Sequence, residues 1–213
     1  MEVYETEREQ IDAIKKWWKE NGKAIIIGAI VGFGSLIGWQ QWQANVQAAR
    51  ESASLEYDVM LAELEDSNYQ GVKDRGARIL NEFTGTPYVA LSAMTLAKVY
   101  VEEGDYTSAK TYLQVVIDQD QQPQLKQVAQ LRMVRLLLAE GDANQALSLL
   151  KSIKVGGFTV ATNELEGDIH VALGNKGQAR AAYQRALDAV EAGLDPSVLQ
   201  MKLNDVGGPE ANS

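Results

Sequence analysis

The order of hydrophobic and polar positions divides the chain into an apolar segment near its N-terminus and a longer part with helical periodicity. The segment 24–42 is apolar apart from Ser35 and the glutamines Gln40 and Gln41. As a helix it is about 28 Å long, which matches the hydrocarbon thickness of a bilayer. We therefore predict a transmembrane helix over 24–42. Tryptophans, which favour the headgroup level, stand on both sides of its apolar part: Trp17, Trp18, Trp39 and Trp42.

The charges beside this segment predict its orientation. Lys15, Lys16, Lys19 and Lys23 precede it, whereas Arg50 alone lies at a comparable distance behind it. Since positive charges close to a span resist transfer across a membrane, we predict that 1–23 is a cytoplasmic tail and that 43–206 is a periplasmic domain. Two alternatives to an uncleaved anchor stay open, a buried core helix and a signal peptide cleaved near Val46-Gln47-Ala48.

Three turns recur in register in the second part of the chain. Each is a glycine followed by Asp or Asn, and Gly104, Gly141 and Gly174 are 37 and then 33 residues apart. We expect each glycine to end one helix in the left-handed conformation, and the next side chain to cap the following helix. An alanine five residues later and large apolar residues at helical spacing predict close pairing of the two helices. This period is typical of hairpin repeats that stack into a solenoid.

These hairpins resemble tetratricopeptide repeats, although the third departs from the pattern at Glu166, Gly167 and His170. A more degenerate pair is predicted over about 45–66 and 69–83, with its first helix continuing from the membrane helix. Asp195-Pro196 opens a short helix that caps the array, and 207–213 is predicted to be disordered. The predicted fold is all-α: an N-terminal single transmembrane helix, a tetratricopeptide-like α-solenoid of helical hairpins and a C-terminal capping helix.

Charge and composition disfavour several classes of function. The chain has 20 basic and 29 acidic residues, and most of its net charge of −9 lies behind the span, which disfavours nucleic acid as a partner. There is no cysteine, so neither disulfides nor Cys/His zinc sites can form. His170 is the single histidine and is predicted to be a core residue. We predict no enzymatic activity, no metal and no cofactor.

The first helix of each hairpin has a second row of positions, on the side away from the apolar stripe that packs against its partner helix. We predict that these positions line a groove. Its positions are mostly apolar, which suits an unfolded or amphipathic polypeptide, but the same side chains could instead pack on a neighbouring helix. Clusters of Lys and Asn, with which some tetratricopeptide domains bind acidic carboxyl termini, are absent from these positions, which disfavours that partner class. The predicted groove residues are Leu91, Met94, Lys98, Val101, Val128, Leu131, Arg135, Leu138, Leu165, Asp168 and Val171.

Four glycines inside the predicted span form two steps of small residues four apart. Gly28 with Gly32, and Gly34 with Gly38, lie on different helix faces and permit close contact with other membrane helices. Glycine is also common in membrane spans without such a role.

Several segments together resemble the YfgM family of ancillary SecYEG translocon subunits: Met1-Glu2-Val3-Tyr4-Glu5, Glu20-Asn21-Gly22-Lys23, Ile37-Gly38-Trp39-Gln40-Gln41-Trp42 and the repeats. The resemblance implies a single-pass protein of the bacterial inner membrane beside the translocon. It also implies a role in passing translocating polypeptides to periplasmic chaperones, notably PpiD, and a cytoplasmic tail that restrains a stress-response regulator. The residues alone leave one alternative, a scaffold that organises a cell-envelope assembly without binding substrate chains.

Overall fold

The computed structural model describes residues 2–119, 122–153, 156–191 and 194–207, with side chains from residue 9 onward. All regular elements in these ranges are helices, which confirms the predicted all-α class. The predicted disorder of 207–213 concerns residues that, apart from Gly207, lie outside the described ranges. The helices are α1 (Glu2–Glu65), α2 (Tyr69–Glu82), α3 (Tyr88–Glu102), α4 (Tyr106–Ile117), α5 (Pro123–Ala139), α6 (Ala143–Ser152), α7 (Thr159–Ala172), α8 (Lys176–Asp188) and α9 (Ser197–Asp205).

The chain forms two compact units, 1–52 and 53–213. In the first unit the apolar side chains of the predicted span are exposed, from 40% at Ile25 to 68% at Phe33. A core helix of a soluble protein buries such side chains, so this exposure favours a lipid-facing helix over the core-helix alternative. Among the described residues, α1 is the one helix with the length and hydropathy of a membrane span.

The second unit is built around the predicted glycine turns. Gly104, Gly141 and Gly174 have φ angles of 81°, 86° and 75°, which confirms their left-handed conformation. At the first turn the amide of Gly104 donates to the Val101 carbonyl at 3.0 Å, and the amide of Asp105 donates to the Tyr100 carbonyl at 2.8 Å. The same pair of hydrogen bonds recurs at the other two turns and satisfies the last carbonyls of each preceding helix.

The polar residue after each glycine caps the next helix in two of the three turns. The side chains of Asp105 and Asp142 each accept a hydrogen bond at 3.0 Å, from the amides of Ser108 and Gln145 respectively. Asn175 occupies the corresponding position before α8, but its side chain forms no such bond. The prediction that it caps α8 is therefore wrong.

A fourth turn of the same kind joins α1 to α2 and has no glycine. Ser67 takes the left-handed position, with φ of 58°, and lies 37 residues before Gly104. Its amide donates to the Leu64 carbonyl, and the side chain of Asn68 accepts from the amide of Gly71 at 3.2 Å. The end of α1 and α2 therefore form a first hairpin, as the degenerate helical pattern predicts.

Consecutive hairpins are joined at a recurring position. Lys73 on α2 reaches Glu103 at 2.6 Å, and Lys110 on α4, 37 residues later, reaches Glu140 at 2.7 Å. At the third junction the corresponding residues are Leu147 and Leu173. Both pack on the main hydrophobic core, which is the buried cluster that includes Leu113, Val134 and Leu150. At the third junction, apolar side chains therefore occupy the two positions that form an ion pair at the first two junctions.

The predicted capping helix α9 closes the array by packing on the last hairpin. Leu203 of α9 joins the buried cluster of Ala179 and Tyr183. Lys202 pairs with Glu164 at 2.6 Å and with Asp168 at 2.8 Å, both on α7. The hydroxyl of Tyr183 donates to Asp168 at 2.8 Å, and burial together with this bond raises the pKa of Tyr183.

Candidate peptide-binding groove

Two adjoining hollows lie between α3 and α5, and both are lined by Lys98 and Arg132. We call them together the α3–α5 groove. The first hollow has a volume of about 310 Å³, and its other lining residues are Ala97, Val101, Glu102, Leu113, Arg135 and Leu136. The second has a volume of about 290 Å³ and is completed by Tyr57, Leu91, Met94, Thr95, Leu125 and Val128.

Helical periodicity explains why these side chains share one face. On α3 the lining positions 91, 94, 95, 97, 98, 101 and 102 recur at spacings of three and four, and on α5 the positions 125, 128, 132, 135 and 136 do the same. Such spacings keep side chains on one stripe of a helix. Since the two stripes face the same space, the groove has a wall from each helix.

Six of the predicted groove residues line this space: Leu91, Met94, Lys98, Val101, Val128 and Arg135. Met94 does so with only 8% of its surface exposed, because most of its side chain belongs to the main core. The walls of this space are mostly apolar, and its centre carries basic side chains.

The other five predicted residues lie elsewhere. Leu131 and Leu165 are 3% and 2% exposed and belong to the main core, so the alternative of packing on a neighbouring helix applies to them. Leu138 packs on the edge of that core, and Val171 is exposed on α7. Asp168 is held by Lys202 and is therefore not an open groove position.

Eight residues in the groove lie outside the sequence prediction: Tyr57, Thr95, Ala97, Glu102, Leu113, Leu125, Arg132 and Leu136. Arg132 lies three residues before Arg135, so its presence on the same face could have been found from helical spacing. Tyr57 comes from α1, and its hydroxyl lies 3.4 Å from the Thr95 hydroxyl. Its place in the groove depends on how α1 packs on α3, for which the sequence gives no signal.

The electrostatics of the groove are dominated by Arg132 and Arg135. Lys98 reaches Glu102 at 3.7 Å, but within the described part of the chain neither arginine pairs with a carboxylate. Partial burial, and then the positive charge of Arg135, lower the pKa of Arg132. Arginine side chains carry a positive charge in proteins at neutral pH. The groove therefore offers two unneutralised hydrogen-bonding cations between apolar walls.

The four glycines of the predicted span leave open space on the helix surface. A Cβ atom added at Gly28, Gly32, Gly34 or Gly38 would meet no atom within 4 Å. The rings of Trp39 and Trp42 lie against each other at the end of the apolar stretch, with centroids 5.0 Å apart and planes tilted by 41°. This surface can accept the close approach of another helix, and a larger side chain there would strain nothing inside the chain.

The fold and a family comparison together define the class of protein. A family model described as a tetratricopeptide repeat-like domain matches residues 15–208. The chain is therefore a tetratricopeptide repeat-like protein, as its hairpins and turn geometry indicate. No solved structure matches the chain.

Similar proteins identify one family within this class. The chain is 33% identical over 204 residues to the ancillary SecYEG translocon subunit of Aggregatibacter actinomycetemcomitans, covering 94% of this chain and 97% of the relative. It is 30% identical over 206 residues to the protein of that name from Escherichia coli (strain K12), covering 97% and 99% of the two chains. For the Haemophilus influenzae protein of that name the identity is 31% over 205 residues, with 96% and 100% covered.

This chain belongs to the family of ancillary SecYEG translocon subunits. That membership confirms the resemblance predicted from the N-terminal segments and the repeats. The family is one of non-catalytic adaptors with this fold, which agrees with the prediction that the chain is not an enzyme.

Proposed function

We propose that this protein is a non-catalytic adaptor of the SecYEG translocon, anchored in the bacterial inner membrane by residues 24–42. The proposal places 1–23 in the cytoplasm and the domain 43–206 in the periplasm. The excess of lysines before the span supports this orientation. The names of the relatives support association with the translocon.

In this proposal the α3–α5 groove binds unfolded or translocating polypeptides and passes them to periplasmic chaperones. The observation that carries it is the groove itself, with apolar walls and unpaired cations on a domain tethered to a membrane helix. Tethering raises the local concentration of the groove near an emerging chain, so weak binding is sufficient. A membrane-anchored chaperone of the PpiD type is the proposed recipient, because the resemblance to the YfgM family implies it.

Two finer parts of the proposal concern the first unit. The glycine steps at Gly28–Gly32 and Gly34–Gly38 contact other membrane helices, and the cytoplasmic tail restrains a stress-response regulator. Replacing Gly28 and Gly32 by isoleucine fills open surface only, so the anchor itself is preserved. We expect this variant to co-purify with less of its membrane partners, and an unchanged yield would remove the helix-contact role.

Photo-crosslinking inside cells tests the groove directly. A photoreactive amino acid is placed at Leu91 or Val128 in the groove, and for comparison at Thr111 or Gln145, which lie on the α4–α6 side. A secreted polypeptide is arrested during translocation before irradiation. We expect adducts to the arrested chain from the groove positions only. Adducts to folded envelope proteins alone, or none to the arrested chain, would instead support the scaffold role.

A further inference from the structure

The arginines of the α3–α5 groove differ from most basic residues nearby in their lack of an ion pair. Lys73 and Lys110 pair with glutamates at hairpin junctions, and Arg75 pairs with Glu56. Arg132 and Arg135 have no carboxylate partner among the described residues, although the chain is strongly acidic. Glu102 lines the same hollow, but it pairs with Lys98 at 3.7 Å, and no carboxylate of the described residues pairs with either guanidinium group.

This arrangement is electrostatically unfavourable when the groove is empty. Two like charges on one helix face repel each other, and partial burial removes part of the water that would screen them. The lowered pKa of Arg132 reflects both effects. A carboxylate placed between the two side chains would relieve the repulsion and accept charge-assisted hydrogen bonds, for which the planar guanidinium is well suited.

The walls on either side of these arginines are mostly apolar, and their polar members are Tyr57, Thr95, Lys98 and Glu102. Leu91, Leu125 and Val128 line the hollow on one side, and Ala97, Val101 and Leu136 line the hollow on the other. Arg132 borders both hollows, so a ligand that places a charge there can put apolar groups into each of them at once. A small anion would leave both walls uncovered.

We infer that the groove selects polypeptide segments in which an acidic side chain is flanked on both sides by apolar side chains, with the carboxylate bound by Arg132 and Arg135. This inference rests on the proposed function and specifies which segments of a translocating chain are bound. The sequence prediction disfavoured acidic carboxyl termini bound by clusters of Lys and Asn, whereas the ligand inferred here is an acidic side chain within a polypeptide, bound by arginines.

The test uses the full chain in detergent micelles and two fluorescently labelled peptides. Each peptide alternates leucine and serine, and the two differ only in a central glutamate or glutamine. We expect the glutamate peptide to bind about tenfold more tightly, and this preference to weaken with added salt, since charge-assisted bonds at a partly open site are screened. Replacing Arg132 and Arg135 by glutamine should remove the preference for the glutamate peptide over the glutamine peptide.

A charge-matched variant separates the effect of the two arginines in the groove from the effect of the total charge of the chain. Lys151→Gln with Lys176→Gln removes the same total charge from exposed positions outside the groove, and we expect it to keep the preference for glutamate. Equal affinity of the two peptides for the unmodified chain would overturn the inference and leave the proposed peptide binding intact. Failure of both peptides to bind would count against the inference and the proposed function together. Loss of the preference in the charge-matched variant would also overturn the inference.

Discussion

At the scale of single residues, the turns show how much of the solenoid depends on backbone conformation. Ser67 is the one non-glycine residue with positive φ in the described part of the chain, and it occupies the position that glycine takes in the three later turns. A left-handed backbone costs an L-residue roughly 1 kcal/mol, because Cβ crowds the following carbonyl oxygen. The first hairpin is therefore held in its turn at some cost in stability.

Replacing Ser67 by glycine should stabilise the domain by about 1 kcal/mol. The measurement is urea unfolding of the full chain in detergent, followed by far-ultraviolet circular dichroism, because all four tryptophans lie at or before residue 42 and report on the first unit only. Ser148→Gly, at an exposed helical position in α6, is the matched control and should destabilise by roughly 0.5 to 1 kcal/mol. Destabilisation by both substitutions would contradict the assigned turn.

Glycine is required at position 167 for a different reason. The neighbouring side chains leave no space for a Cβ atom, and the backbone angles are not the cause. A Cβ atom there would lie 2.2 Å from Cε1 of Tyr183, whose ring is buried and whose hydroxyl is bonded to Asp168. We expect Gly167→Ala to destabilise the domain by about 1 to 3 kcal/mol through overpacking, despite the better helix propensity of alanine. Thermal unfolding of the full chain is the readout.

Two further variants isolate the steric cause. Gly177→Ala in α8 adds the same methyl group where no atom lies within 4 Å, and it should be neutral or slightly stabilising. Shortening the neighbour, as Tyr183→Leu, should remove most of the additional cost of Gly167→Ala. If the cost persists without the tyrosine ring, close packing of α7 on α8 is not its origin.

The sequence predicts the regular part of this fold and misses its irregular residues. Gly104, Gly141 and Gly174 predict their turns because glycine is the residue that tolerates left-handed backbone at no steric cost. Ser67 has the same left-handed conformation, but a serine does not predict it. Asn175 does not form its predicted cap, because capping depends on the rotamer of the side chain.

The groove is predicted in part for a similar reason. Adjacent positions on a helix are rotated by about 100° around its axis, so a small error in the predicted helix face changes which residues are assigned to the groove. The sequence prediction therefore includes Leu131 and Leu165, which lie in the core, and omits Arg132, which lines the groove.

At the scale of helices, neighbouring elements are connected by ion pairs whose strength depends on pH. Glu56 on α1 accepts hydrogen bonds from Arg75 at 2.8 Å and from Arg78 at 3.1 Å, both on α2. The hydrogen bond from Arg75 is the largest cause of a lowered pKa at Glu56, and burial opposes it. Because the folded-state pKa is below the ordinary value of 4.5, the pairs stabilise the fold above that pH, and the stabilisation is lost as the pH falls.

The variant Glu56→Gln should unfold about 1 kcal/mol more easily at neutral pH, since the pairs are partly exposed. Its difference from the unmodified chain should shrink below pH 4.5 and disappear once the Glu56 carboxyl is protonated. Urea titrations across this range give the comparison. Glu82→Gln, on the exposed surface of α2, should change little at any pH. A difference that stays constant with pH would show that Glu56 acts through packing instead.

At the scale of the whole molecule, the two units serve distinct purposes in the proposed function. The first supplies an exposed apolar helix with tryptophans at its borders, and the second supplies a groove whose walls and charges suit a polypeptide. The proposed function needs both units, because the groove has to be held close to the place where chains emerge. Association with the translocon is therefore the central claim.

The most direct measurement of that claim is quantitative purification of the intact chain from detergent-solubilised inner membranes, with every co-isolated protein identified. The account predicts that SecYEG subunits are enriched together with the chain, well above an unrelated single-pass membrane protein of similar abundance. Isolation of the chain with its span intact but without any SecYEG subunit would contradict it.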